Sequence, residues 1–311
     1  MRPVGSAIAA AGLTGLCLWL LLTPEVLAGL ARLAGEAKPA PLAAAFAAAA
    51  AVQWLRAWRF QVMTTGTLAP PAPAMVLIAL KLNFLNFVLP FRLGELSYPA
   101  LMRRQYGHGV LRSAGVLVLA RLFDLAIVAA ILLATAGLYA ETAVAWLGFS
   151  LGAAAAALAP LGLLRLGQSL SERLFARSRW AKLAPGAAVA AARQAPVLLA
   201  LGFSIWLTLA LVAVLVARAV AVSIAPSAAI LGAAAGNLAF ALPVNGLAGI
   251  GPAQAAFVLA ASWAGVPQND AVVSALALHA VVLSNAVILG GLAFASSWPR
   301  RARLSDGPPL P

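Results

Sequence analysis

Residues 83–104, NFLNFVLPFRLGELSYPALMRR, interrupt a chain whose neighbouring segments are runs of Ala, Leu and Val with almost no charge. The stretch contains two prolines, two asparagines, three arginines and a glutamate. It is either a surface loop between two membrane helices or a broken, polar piece of chain inside the membrane. The apolar run that leads into it is long, and its charges stand next to the break at Pro90. We therefore interpret it as a hairpin that dips into the membrane, with residues 90–95 at its tip.

The composition places the whole chain in a membrane. Of its 311 residues, 63% are hydrophobic and 9% are charged, whereas soluble domains carry about 25% charged residues. Cys17 is the only cysteine and there are two histidines far apart in sequence, so we expect no internal disulfide, no metal site and no cofactor. The net charge of +13 comes from cations near helix ends, which is typical of the positive-inside rule rather than of nucleic-acid binding.

The apolar segments predict an all-α, polytopic helical membrane protein. A span needs about 20 apolar residues, and five segments meet that requirement: 40–60, 113–138, 142–164, 196–220 and 271–295. Segment 6–22 makes a sixth span, which we interpret as a retained signal-anchor helix because no small-residue cleavage site follows it cleanly. The prediction is thus about six full spans.

Two further regions, 75–105 and 226–265, are each interrupted by proline and glycine. An apolar run of about 16 residues makes a helix of roughly 24 Å, which is shorter than the hydrocarbon core of about 30 Å. We interpret both regions as re-entrant helical hairpins that enter and leave on the same side. Region 226–265 is also long enough for two full spans, and that alternative stays open.

The charges predict the orientation and the domain organisation. Residues 1–299 form a single transmembrane domain, with a basic cytoplasmic loop at 165–195, part of which we expect to be an amphipathic helix on the headgroups. Residues 300–311 are expected to form a disordered cytoplasmic tail. With both termini in the cytoplasm, nearly all cations fall on the inner side, so we predict a multi-pass protein of a bacterial-type inner membrane.

The two interrupted regions resemble each other. Asn86, then Leu89-Pro90, then Gly94 in the first region correspond to Asn237, then Leu242-Pro243, then Gly246 in the second. Each region reaches a glycine, Gly107 or Gly265, and 14 residues later a polar residue stands in an apolar helix, Arg121 or His279. The pattern predicts repeats at about 40–138 and 196–295. Their opposite predicted orientations are typical of transporters with inverted repeats, in which broken helices meet near the midplane.

Charged residues at membrane depth are the first candidates for a site, because burying them is costly. Five qualify: Lys81, Arg92, Glu95, Arg121 and Asp124. Arg92 and Glu95, like Arg121 and Asp124, are three residues apart, a spacing that places two side chains on one helical face. These pairs are either structural salt bridges or an anionic headgroup site in which arginines bind phosphate. The positive excess favours the headgroup site.

Neutral polar residues extend the candidate site. Asn86, Asn237 and Asn245 are expected to donate hydrogen bonds to a ligand, although each could instead satisfy broken backbone. His279 is similarly either a ligand contact or a satisfied polar group of the core. Glu95 and Asp124 could form a catalytic carboxylate pair, but no nucleophile–base set accompanies them. We therefore expect no enzymatic activity.

A family resemblance rests on two motifs. LPFRLGELSYPALMRRQYGHGVLRSAGVLVLARLFDL and ALPVNGLAGIGPAQAAFVLAASWAGV resemble the signatures of the flippase-like membrane family that includes the transmembrane part of lysylphosphatidylglycerol synthase. The resemblance covers about 40–295. Gln254 stands where that family usually has Glu, Ala248 where it has the first Gly of a pair, and Tyr98 near a common Arg position. The family's synthase members carry a large soluble domain, and we expect none in this chain.

The resemblance implies a translocating part without the lipid-modifying enzyme. We expect a flippase-like transporter that moves an anionic or modified phospholipid or glycolipid across the inner membrane through a polar midplane cleft. The alternative is a non-transporting accessory protein that binds lipid and presents it to a partner glycosyltransferase or synthase. The expected partners are membrane lipid and a lipid-modifying enzyme or a second copy of the chain, but no nucleic acid. The predicted substrate-binding residues are Lys81, Asn86, Arg92, Glu95, Arg121, Asp124, Asn237, Asn245, Gln254 and His279.

Overall fold

The computed structural model describes residues 12, 14–17, 19, 21–64, 70–174, 194–220, 222, 224–241 and 246–296. Their regular structure is helical throughout, with no strand among them. The α-helices from residue 24 onward are α1 (Pro24–Glu36), α2 (Pro39–Met63), α3 (Ala72–Val88), α4 (Ser97–Tyr106), α5 (Val110–Gly137), α6 (Ala143–Leu174), α7 (Ala195–Ala219), α8 (Pro226–Phe240), α9 (Pro252–Trp263) and α10 (Gln268–Ala295). Short 3₁₀ helices cover Pro90–Leu96 and Leu247–Gly249.

Five of the described helices are long and apolar enough to cross a membrane: α2, α5, the Ala143–Gly162 part of α6, α7 and α10. They correspond to the five spans expected from the sequence, which confirms an all-α polytopic membrane protein. Most of segment 6–22 lies outside the described residues, so the sixth span stays a prediction, as does the re-entrant path of both hairpins. Residues 300–311 are also outside them.

Helix α6 extends past the predicted span into the predicted basic loop. Residues 165–174, the first part of that loop, continue α6 to Leu174. Leu, Arg, Gln and Glu are all good helix formers, so the helix persists where the sequence turns from apolar to charged. The amphipathic helix that was expected in part of the loop, on the headgroups, stays a prediction, and residues 175–193 lie outside the described residues.

The chain breaks where the prolines predict. Helix α3 ends at Val88, two residues before Pro90, because proline lacks the N–H that would continue the helical hydrogen bonds. The 3₁₀ helix that follows turns back against α3: a methyl group added at Gly94 would overlap the backbone of Leu85 and Asn86. Only glycine therefore fits at this turn. Helix α8 similarly ends at Phe240, three residues before Pro243.

The two halves of the chain repeat the same order of elements. Helix α3, a 3₁₀ helix, α4 and α5 correspond to α8, a 3₁₀ helix, α9 and α10. Both final helices have 28 residues, and each follows a glycine with positive φ, Gly107 at 69° and Gly265 at 84°. These glycines end the preceding short helix in the left-handed conformation typical of helix C-termini.

Helices of one half also pack against helices of the other half. Helix α3 packs against α10 of the other half, α8 packs against α5, and α2 packs against α7. The two 3₁₀ helices contact each other. Beside them Phe87, at the end of α3, stacks on Phe240, at the end of α8, with ring centroids 5.6 Å apart. The two breaks therefore meet in the molecule, as expected for a pair of broken segments that line one site.

The α3–α10 contact yields a stability test. A methyl group added at Gly290 of α10 would overlap Phe84 Cβ and come within 3.2 Å of the Leu80 carbonyl oxygen, whereas one added at the adjacent Gly291 would meet nothing within 4 Å. We expect Gly290→Ala to lower the free energy of unfolding by about 1–3 kcal/mol through overpacking. Gly291→Ala should be neutral or stabilise by up to about 1 kcal/mol. Equilibrium unfolding in mixed micelles measures both, and equal effects would contradict close α3–α10 packing.

Candidate functional site

A polar cavity of about 140 Å³ lies where the two halves meet. This volume suffices for several waters. Its described lining side chains include two guanidiniums, six amides from Asn and Gln on five helices, and one imidazole, and none of them is a carboxylate. Those polar lining residues are Gln53, Arg56, Asn83, Asn86, Arg121, Asn237, Gln254, His279 and Asn285. The amide nitrogen of Asn285 donates a hydrogen bond to the backbone carbonyl of Phe46 on α2.

The lining residues come from seven helices. Helices α2, α3 and α5 belong to the first half of the chain, and α7, α8, α9 and α10 belong to the second. The aromatic ring of Phe87, which lies 5.9 Å from the imidazole of His279, also lines it. The short helices end beside this cavity. Polar side chains can therefore gather inside an apolar bundle without exposing unpaired backbone groups to lipid.

Asp124 is the centre of the charged network beside this cavity. Its carboxylate accepts hydrogen bonds from Arg59 at 2.6 and 3.1 Å, from Arg121 at 3.1 Å and from the Trp206 indole at 2.8 Å. Arg59 is 1% exposed and Asp124 is 5% exposed. A buried ion pair is tolerated only when further hydrogen bonds satisfy its charges, and here four donors surround the two carboxylate oxygens.

Arg121 links Asp124 to the first hairpin. Its Nε lies 3.0 Å from Glu95 Oε1, and a terminal nitrogen lies 3.1 Å from Asp124 Oδ2. The predicted Arg121–Asp124 pair is therefore present. Glu95 also forms an ion pair with Arg121 across the break, and the predicted Arg92–Glu95 pair stays a prediction. Local spacing could not reveal this contact between two elements. The side chain of Arg92 lies outside the described ones.

Arg56 and Arg59 were missed as site residues because the positive-inside rule accounts for cations near the cytoplasmic end of a span without a further role. Arg59 instead pairs with Asp124, and Arg56 donates a hydrogen bond to the Asn83 side chain at 3.2 Å and lines the polar cavity. A signal was available: Gln53, Arg56 and Arg59 recur every three residues, so they follow one face of a helix that is otherwise apolar. Trp206 carried no comparable signal.

The charge balance of this network is positive. Arg56, Arg59 and Arg121 oppose Glu95 and Asp124, so one positive charge remains in excess among these five side chains. Several polar atoms in the cavity wall also have no hydrogen-bond partner among the residues that the structure describes: Gln53 Oε1, Asn86 Oδ1 and His279 Nε2. Buried polar groups are normally satisfied, so these atoms face water or a ligand.

The second hairpin contributes neutral groups. Gln254 is 4% exposed and lines the polar cavity, while its Oε1 accepts a hydrogen bond from the Gly251 backbone N–H at 2.7 Å. Since the acceptor end of this amide is engaged, its NH₂ group is the end available to the cavity. Asn237 donates to the Ala233 carbonyl of its own helix at 2.8 Å, so part of its capacity satisfies backbone, as the alternative interpretation expected.

Two departures from the family pattern have structural consequences. Ala248 has a φ of 55°, the left-handed conformation that costs a non-glycine residue about 1–2 kcal/mol. Tyr98 is fully buried, stacks on Phe60 with centroids 4.6 Å apart and shares a hydrogen bond with Thr64 at 3.3 Å. Tyr98 is thus a core residue and borders none of the described cavities.

Lys81 does not join the other predicted site residues. It is buried between α3 and α10, with Nζ 5.5 Å from the centre of the Phe294 ring, and it lines none of the described cavities. Asn83 and Asn86, rather than Lys81, stand on the cavity face of α3, because residues two positions apart point in different directions on a helix. Asn245 lies outside the described residues.

The arrangement suits recognition of an anion with hydroxyl or ester groups. Arginine guanidiniums bind phosphate through several N–H donors, and amide side chains can donate to and accept from neighbouring oxygens. Among the described residues, no group of three or more His, Cys, Asp or Glu side chains is placed to hold a metal ion.

Comparison with protein-family models matches residues 4–290 to the family described as the lysylphosphatidylglycerol synthase TM region. The match covers the first repeat, all but the last five residues of the second, and every described residue of the polar cavity. No curated protein matches the chain.

Proposed function

Because this chain belongs to the family of the lysylphosphatidylglycerol synthase TM region, we propose that it is a flippase-like transporter for an anionic or modified membrane lipid. The lipid headgroup would cross through the polar cavity while its acyl chains stay in the bilayer. The proposal includes residence in the inner membrane with both termini in the cytoplasm. It also assigns the chain a binding and transport role without chemistry on the lipid.

One observation carries the proposal. The cavity is lined by Arg56, Arg121 and amide side chains from both repeats, and its described lining includes no carboxylate. Polar side chains are rare at membrane depth and mark substrate pathways when they face a common cavity. A site shared by two repeats is also where repeat-built transporters bind their substrates.

Reconstitution tests translocation. Purified full-length chain is placed in phosphatidylcholine vesicles that contain a trace of phosphatidylglycerol, cardiolipin, lysylphosphatidylglycerol or a glycolipid, each with a fluorophore on one acyl chain. Added dithionite bleaches fluorophore in the outer leaflet, and we expect protein to expose inner-leaflet lipid for at least one member of this panel. Protein-free vesicles give the background.

Absence of translocation for every lipid in the panel would contradict the transporter. If those vesicles nevertheless showed specific lipid binding, an accessory protein that presents lipid to a glycosyltransferase or synthase would replace it. The two functions share the binding site and differ only in whether the headgroup crosses, so the same protein preparation distinguishes them.

Arg56 supplies a prediction about binding. Arg56→Gln should weaken binding of glycerol 1-phosphate, a soluble headgroup probe, by about tenfold or more, since a hydrogen bond to a charged group contributes about 1.5–3 kcal/mol. Glutamine can still hydrogen-bond Asn83, so the fold should persist. Isothermal titration in detergent gives the affinity. The control Arg103→Gln changes an exposed arginine at the end of α4 and should leave the affinity unchanged; equal losses in both would point to a nonspecific charge effect.

A further inference from the structure

A second cavity, of about 360 Å³, adjoins the polar one. It lies between the 3₁₀ helix Pro90–Leu96 and α5, and it shares two wall residues, Arg121 and Trp206, with the polar cavity. Apart from its charged inner wall of Glu95, Arg121 and Asp124, the described lining is apolar. We call this second cavity the lateral groove.

The lateral groove opens at the outer surface of the bundle. Leu93, Leu96 and Leu125 at its edge are 45%, 67% and 37% exposed, whereas Leu117 and Val128 in its floor are buried. In a membrane protein such exposed leucines face lipid. From Leu117 to Val128 the groove follows one face of α5 for about 16 Å, which is roughly half the hydrocarbon thickness.

The two cavities together match an amphiphile. The polar cavity offers guanidinium and amide groups, the lateral groove offers leucine side chains, and Arg121 stands at their junction. The two ion pairs of Arg121 involve Nε and one terminal nitrogen. A guanidinium has five N–H donors, so donors beyond those two contacts remain for a phosphate at the junction.

We propose that the lateral groove is a binding site for one acyl chain of a phospholipid whose phosphate lies at Arg121. The inference rests on the proposed function and adds where the lipid enters: between the first hairpin and α5. An ordinary boundary lipid contacts an apolar helix surface without a charged wall beside it. Glu95 and Asp124 on this wall are each paired with an arginine, and with Arg56 and Arg59 the surrounding network has one positive charge in excess. This excess predicts selectivity for anionic phospholipid at this position.

Photocrosslinking tests the site on the full-length chain. Phosphatidylglycerol with a diazirine in one acyl chain is incorporated into phosphatidylcholine vesicles that hold the protein, and adducts are mapped by mass spectrometry. We expect adducts on Leu93, Leu96 or Leu125 that saturate and are displaced by unlabelled phosphatidylglycerol but not by added phosphatidylcholine. Leu158 on α6, which is 61% exposed and lines none of the described cavities, provides the boundary-lipid reference. Its adducts should not saturate.

Filling the groove gives a second measurement. Leu125→Trp should reduce the saturable adducts by about tenfold or more, because loss of burial of even two methylene groups has that effect. Binding of glycerol 1-phosphate should be unchanged, since the polar cavity is not altered. Leu158→Trp is the matched control. If Leu125→Trp fails to fold, Leu96→Trp fills the same opening from a more exposed position.

The outcomes separate the two proposals. Non-saturable adducts at the groove like those at Leu158, with glycerol 1-phosphate still bound by the unaltered protein, would overturn the acyl-chain site and leave the headgroup site standing. If the unaltered protein did not bind glycerol 1-phosphate, the headgroup site itself would be overturned. Saturable adducts that are displaced equally by phosphatidylcholine would overturn the selectivity for anionic lipid.

Discussion

Asp124→Asn is expected to lower the free energy of unfolding by about 3–5 kcal/mol, which is the cost of leaving a buried charge without its partner. Arg59, at 1% exposure, would retain its charge and lose its counter-ion. The new amide would also turn an NH₂ group toward donors of Arg59, Arg121 or Trp206, which now surround both carboxylate oxygens. Equilibrium unfolding of the reconstituted chain, followed by tryptophan fluorescence, measures the change.

The control for Asp124→Asn is Glu141→Gln, which changes an exposed carboxylate and should alter stability by no more than about 0.5 kcal/mol. A double-mutant cycle with Arg59→Met measures the interaction energy between Arg59 and Asp124. Removing the second charge as well should cost much less than the sum of the single changes, because neither partner is then left buried and unpaired. Additive effects, or a loss as small as that of the control, would contradict the role of Asp124 as the centre of the network.

Arg121→Gln is expected to weaken binding of glycerol 1-phosphate by about 10- to 100-fold, because charged hydrogen bonds contribute about 1.5–3 kcal/mol and each 1.4 kcal/mol is a factor of ten. Arg121 lines both the polar cavity and the lateral groove, so translocation of fluorescent phosphatidylglycerol should fall with binding. Stability should fall less than in Asp124→Asn, since Asp124 keeps Arg59 and Trp206 as partners.

The matched variant is Glu95→Gln, which removes one ion-pair partner of Arg121 without adding bulk. A headgroup site predicts opposite results: Arg121→Gln weakens binding, while Glu95→Gln leaves it unchanged or strengthens it, since the guanidinium then has one anionic competitor fewer. A purely structural bridge predicts that both variants lose stability to a similar extent and that binding per folded molecule stays the same. Titration and unfolding of the same samples separate these possibilities.

The secondary structure was predictable because it depends on local chemistry. Runs of apolar residues marked the five long helices. Pro90 ends a helix because its ring removes the backbone N–H that would continue the helical hydrogen bonds. The resemblance between the two interrupted regions predicted two copies of one order of elements, which the helices reproduce. The sequence predicted a helix in part of the basic loop, but it did not show that α6 itself continues to Leu174, because the change from apolar to charged residues marks only the end of the span.

The site was predicted less completely. The repeat pattern, the charges at membrane depth and the family resemblance pointed to Asn86, Arg121, Asn237, Gln254 and His279, and the structure gathers these at one cavity. Lys81 and Arg121 were predicted from the same observation, a charged residue at membrane depth. Lys81 nevertheless faces the α3–α10 interface. The rotation of each helix about its axis decides between these outcomes, and that rotation depends on packing partners that local spacing does not specify.

By itself, the sequence determined that this protein is a helical membrane protein with two proline-broken repeats, because hydropathy and helix breaking are properties of short stretches of chain. Only the tertiary structure decided which charges meet. Asp124 is held by Arg59 from 65 residues away and by Trp206 from 82 residues away, and Glu95 reaches Arg121 across a break. Such contacts arise when packing brings particular helix faces together, since a desolvated charge in the bundle must find its partner there, whatever its distance along the chain.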